Sequence, residues 1–179
     1  MNGAEAPLWR ALAVFRLASL GYAVLLFALN FRTYAHPGPG WAVIGAMAIW
    51  SAVTISGYRR PRWRGWPLLG ADLVVTAACL LPSAWILGAG AGRTGISTLP
   101  APWIAGPVLS WAISGGRRRG AAAGLLMGAC DVLVRGHGDA NQVSLSATVL
   151  LLMTGVAVGH VARLSVEAQQ RLQRAVRLE

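Results

Sequence analysis

A charged side chain inside a long apolar run is costly, and such residues generally face other protein groups rather than lipid. Arg16, Asp72 and Asp131 are charges of this kind. Arg16 comes eight residues after Leu8, and Asp72 comes six after Trp66, each counted from the start of its run. At about 1.5 Å per helical residue, both lie roughly 9–12 Å in from the same face. This spacing offers an ion pair between the first and third helices. The alternative is that each side chain snorkels separately to the interface. Asp131 is followed at i+4 by Arg135, within reach of the same helix face. The two either cap the outer end of their helix or form the polar floor of an outward-facing ligand pocket. Asn30 and His137 would join such a pocket from nearby loop ends.

The remaining reactive residue types offer little. His36, His137 and Asp139 are metal-ligand types, but nothing fixes their spacing, and no metal or cofactor is expected. His160, near the end of the last apolar run, reads as a packing or interface residue. Cys79 and Cys130 lie inside apolar runs without a C-x-x-C spacing and read as packing residues. No P-loop, G-x-S-x-G, H-E-x-x-H or dinucleotide fingerprint occurs, so no catalytic residue is expected.

The elements that must position these charges follow from composition. A soluble domain carries about 25% charged residues. This chain carries 12%, with 55% hydrophobic residues and a mean hydropathy of +0.54. The net charge of +10 comes from sixteen arginines, with no lysine. They cluster between apolar runs, the pattern of cytoplasmic loops, and no nucleic-acid partner is expected.

The fold expected is all-α: a polytopic transmembrane bundle with about six spans, at about 8–30, 41–58, 66–87, 103–115, 120–134 and 143–163. Residues 31–40 read as a polar turn, with His36-Pro37-Gly38-Pro39-Gly40 as the breaker. Spans four and five are short, and Pro107 should kink the fourth, so tilted, partial or re-entrant arrangements stay open. Arg59, Arg60, Arg62 and Arg64 follow the second span, and Arg117, Arg118 and Arg119 follow the fourth. The C-terminal segment carries Arg163, Arg171, Arg174 and Arg177, while the other connections carry one arginine each. The basic side is cytoplasmic, which puts both termini inside. Trp9, Trp41, Trp63, Trp66 and Trp103 near helix ends fit an interfacial belt. A faint repeat relates Trp50–Arg60 to Trp111–Arg119, each with Ile-Ser-Gly before arginines.

Glycines mark close packing. Gly120, Gly124 and Gly128 share one helix face, and Gly155 and Gly159 share another. Packing within the chain is the default use of these faces; dimerisation through the last span is the alternative. After that span, Val161, Leu164, Ala168, Leu172 and Ala175 form a stripe on a continuing helix over 164–179. It reads as a cytoplasmic signalling helix, or else as a plain surface helix.

Several strings resemble a known family. Pro7 to Arg16, Tyr22, Ala28 to Arg32, and Tyr34-Ala35-His36-Pro37 are similar to the opening of the MacS-type sensor histidine kinases of actinobacteria. So are Arg64 to Leu69, Ala71-Asp72-Leu73, Ala105 to Leu109, Asp131 to Gly136, and Arg171-Leu172 with Ala175-Val176. The resemblance implies an N-terminal membrane sensor followed by a dimerising helix pair with a phosphoacceptor histidine and an ATP-binding domain. It also implies a homodimer and a NarL-type response regulator as partners. Those catalytic motifs do not occur before Glu179, and His160 lies in no phosphoacceptor box. The expectation is therefore a sensory module without its kinase part, either a truncated piece or a stand-alone remnant. A small transporter or channel subunit is the alternative.

Overall fold

The computed structural model describes residues 6–34, 36–60, 65–87, 102–135 and 142–176. Among these, every regular element is helical: α1 (Ala6–Leu29), a short 3-10 turn (Phe31–Thr33), α2 (Pro37–Arg59), α3 (Trp66–Leu87), α4 (Ala105–Arg135) and α5 (Gln142–Val176). Among the described residues, three stretches are long and apolar enough to cross a membrane: Pro7–Leu29, Pro37–Tyr58 and Leu145–Ala168. They give the chain the character of a membrane protein. The outward faces agree, since Val14, Leu17, Leu25, Ile49, Val74, Leu81, Leu150 and Met153 are all exposed. A helix apolar on its outer face as well as its inner one suits hydrocarbon rather than water.

Prolines and one glycine set the boundaries differently from expectation. The breaker at 36–40 does not delay the second helix, which starts at Pro37. Proline at the first helical position has no hydrogen bond to lose, and its fixed φ favours the turn. Pro107 does not kink a span. It lies in the first turn of α4, where a missing N–H is tolerated. The proline inside a helix is Pro82, in α3.

The break in α4 comes instead at Gly116, where φ is 71° and ψ is −166°. A side chain would be strained there. The arms on either side, 105–115 and 117–135, pack on each other. A Cβ on Gly120 would come within 2.8 Å of that of Ala112. Ile104 and Val108 also share a core cluster with Ala123 and Met127. Residues eight apart in a straight helix would stand about 12 Å apart, so the chain reverses at Gly116 and the arms run antiparallel. The arginine triplet 117–119 begins immediately after that turn.

The second arm of α4 lies along α5 through small residues. A Cβ on Gly120 or Gly155 would strike the other's backbone carbonyl. One on Gly124 would lie 2.8 Å from the Leu151 carbonyl oxygen, and one on Gly159 would lie 2.5 Å from the Arg117 nitrogen. Both glycine faces are thus used within the chain, letting the backbones approach closely. At one end of the bundle, Trp9, Leu12, Tyr58, Leu69 and Ile113 form a cluster that Val158 of α5 also meets. At the other end Phe27, Tyr34, Ile44 and Ile86 pack together.

Candidate functional site

α1 and α3 bring Arg16 and Asp72 into direct contact, with both side chains fully buried. An Arg16 Nη donates to Asp72 Oδ2. Tyr58, from α2, donates its hydroxyl to the same oxygen at 3.1 Å. Trp50, two helical turns earlier, donates its indole N–H to Oδ1 at 2.9 Å. Ser110 of α4 lies 3.3 Å from Oδ2 and 2.9 Å from the Pro107 carbonyl, so its one proton is shared. One carboxylate therefore ties α3 to α1, α2 and α4.

A second layer holds this node. The Trp103 ring lies 5.9 Å from the Arg16 guanidinium carbon, and its N–H donates to Ser51 at 3.0 Å. Gly106 lets α4 approach the arginine, since a Cβ there would come within 3.1 Å of the guanidinium carbon. Trp9 stacks obliquely on Tyr58, with ring centroids 4.7 Å apart. The arrangement is lopsided. Asp72 has its full complement of donors, while Arg16 Nε, Arg16 Nη1 and the Thr76 hydroxyl are buried without a partner among the described residues. A buried pair in apolar surroundings needs such supporting hydrogen bonds to offset its desolvation. Chemically, the node can hold helices in one relative position.

Of the other sequence-marked residues, Asp131 is buried in the second arm of α4. Arg135 ends that helix, and its side chain lies outside the described residues, as do His137 and Asp139. The Asp131–Arg135 pairing therefore falls outside what is described, as do two of the three metal-ligand types, His137 and Asp139. Asn30 turns back to cap α1, donating to the Leu26 carbonyl at 2.9 Å. His36 is exposed and stacks on Trp85 at 4.4 Å, and His160 is exposed on α5. No metal-binding group of three ligand residues occurs among the described residues. Cys79 is buried and Cys130 half-buried, and neither is in a disulfide.

Sequence reasoning missed Trp50, Tyr58, Ser110 and Trp103 as parts of the node. Trp50 and Tyr58 carried a usable signal: eight residues apart on one apolar helix, each with a polar tip that needs a buried partner. Of the tryptophans read as a belt, Trp41 and Trp66 are exposed, Trp9 and Trp103 are buried, and Trp63 lies outside the described residues. The faint repeat does not carry over to the bonding: Trp50 donates to Asp72, while Trp111 donates to the Leu69 carbonyl.

Fold and site together define an all-helical protein of membrane character built around a buried arginine–aspartate node. The chain belongs to the DUF5931 family, a family of unknown function, whose model matches residues 2–173. No curated protein and no solved structure matches it.

Proposed function

We propose that this chain is the membrane-embedded sensory module of a two-component sensor histidine kinase of the MacS type. The observation that carries the reading is α5. It runs unbroken over 35 residues, from Gln142 through apolar Leu145 and past Arg163, Glu167, Arg171 and Arg174 to Val176. At about 1.5 Å per residue this is about 52 Å, longer than a roughly 30 Å hydrocarbon core requires. A rigid helix that leaves the bilayer can carry a shift or rotation to whatever it adjoins. Its glycine face is held against α4, and α4 is held to the Asp72 node through Ser110. A change in packing at the node thus has a physical route to α5.

In this reading the bundle, 1–163, crosses the bilayer six times with both termini cytoplasmic, and 164–179 begins the signalling stalk. The reversal at Gly116 supports counting α4 as two spans, and the arginines beside it support a cytoplasmic turn. A homodimer would form through exposed Val161, Leu164 and Ala168, since the glycine face is already occupied. A NarL-type response regulator would be engaged through a kinase part.

The test is a chimera that joins residues 1–176, in helical register, to the dimerising and catalytic part of a characterised sensor kinase. Loosening the node with Asp72→Asn should change basal autophosphorylation by about fivefold or more, the usual scale of such coupling. Unchanged output from a folded variant, in every helical phase of the junction, would overturn the reading. The broken α4 also suits a small transporter or channel subunit. Solute flux in proteoliposomes would favour that alternative.

A further inference from the structure

Six exposed arginines gather at one end of the bundle. Arg10 opens α1, Arg60 follows α2, Arg117, Arg118 and Arg119 follow the Gly116 turn, and Arg163 lies on α5. The cluster of Trp9, Tyr58, Leu69 and Ile113, with Val158 against it, brings these four chain positions to the same end. Glu167, one helical turn beyond Arg163, is the exposed carboxylate on this face among the described residues. The positive charge is thus largely uncompensated among the described residues.

Two of these arginines are held in place. The Arg119 guanidinium lies over the Trp66 ring at 4.8 Å. Trp66 in turn meets Trp111 edge-on at 5.1 Å, and the Trp111 N–H is fixed by the Leu69 carbonyl at 3.0 Å. Arg163 packs across the Gly116 turn, where a Cβ would come within 2.9 Å of its Cδ. Between them Arg117 and Arg118 project outward. Exposed apolar side chains adjoin the charges: Trp66 at 59%, Val161 at 53% and Leu164 at 50%.

We propose that this face binds the headgroups of anionic phospholipids in the adjoining leaflet. The inference rests on the membrane reading above. Phosphate matches the guanidinium donors in charge and geometry. The half-exposed Trp66 ring is the kind of amphipathic group that sits at headgroup depth. The apolar residues beside the arginines would meet acyl chains, which free phosphate lacks. Because the face joins the Gly116 turn to α5, headgroup binding ties the output helix to the leaflet. Surface charge of the membrane then biases α5 directly.

The full chain, purified in mild detergent, is titrated with phosphatidylglycerol and with phosphatidylcholine of the same acyl chains. Bound lipid is counted by native mass spectrometry. Each arginine near an anionic surface changes partitioning about fivefold, so a preference of about tenfold or more for phosphatidylglycerol is expected. R117Q/R118Q/R119Q should lose most of it and R118Q part of it, with unchanged helical circular dichroism. R32Q, at the opposite end, should keep it. Equal binding of the two lipids, a preference retained by the triple variant, or an equal loss in R32Q overturns the proposal. Displacement of phosphatidylglycerol by millimolar sodium phosphate would reassign the site to free phosphate and also overturn it. A chain that stays monodisperse without detergent would instead overturn the membrane reading itself.

Discussion

Asp72 accepts from Arg16, Trp50, Tyr58 and Ser110, so losing its charge falls first on Arg16. Asp72→Asn leaves a buried guanidinium without a counter-charge, a change that typically costs about 3–5 kcal/mol. A large drop in thermal midpoint in detergent is expected, and a drop of only a degree or two would argue that the pair is dispensable. Tyr58→Phe removes one hydrogen bond to a charged group and should cost about 1.5–3 kcal/mol. An exchange of the two charges, Arg16→Asp with Asp72→Arg, restores the pairing and lets the Tyr58 and Ser110 hydroxyls turn to accept, but it gives the Trp50 indole N–H, which can only donate, a donor where it needs an acceptor. Rescue of either single swap should therefore be incomplete, and full recovery in unfolding assays would show that the Trp50 bond carries no weight. From the sequence alone, a simple pair would predict full rescue.

The seam between the second arm of α4 and α5 depends on missing side chains. Gly155→Ile forces a branched chain against the Gly120 backbone, whereas Gly45→Ala on α2 meets nothing within 4 Å. Overpacking of a close seam costs about 1–3 kcal/mol. An Ala in place of a helical Gly with open space beside it gains about 0.5–1 kcal/mol. Opposite shifts in melting temperature are expected, and equal behaviour of the two variants would refute the seam. Gly116→Ala probes the reversal itself, because a positive φ disfavours any Cβ by about 1–2 kcal/mol. Equal depth for Arg16 and Asp72 was legible, since each can be counted from the start of its own apolar run. The reversal point was not, because the Gly115-Gly116 pair before three arginines carries no local mark of which glycine turns.

Across the whole molecule, topology is the property that six spans and cytoplasmic termini would fix. With Cys79 and Cys130 replaced, R32C and R118C report opposite ends of the bundle. In right-side-out vesicles a membrane-impermeant maleimide should label R32C and spare R118C. Labelling of both from outside would contradict the even-span arrangement. The first of these positions sits where α1 meets α2, beside a groove of about 500 Å³ formed with Ala28, Leu29, Phe31 and Trp41.

Composition and periodicity alone determined that the chain is helical, apolar enough for a bilayer, and equipped with glycine faces and buried charges. These are local properties, set by which residues follow one another within a few helical turns. The tertiary structure alone decided that Trp50, Tyr58 and Ser110 join Arg16 on one carboxylate. It also decided that Pro107 opens a helix rather than bending one, and that both glycine faces close on each other inside the chain. Those outcomes depend on distances between helices 14 to 56 residues apart in sequence. No repeat or spacing along the chain encodes such distances; only packing resolves them.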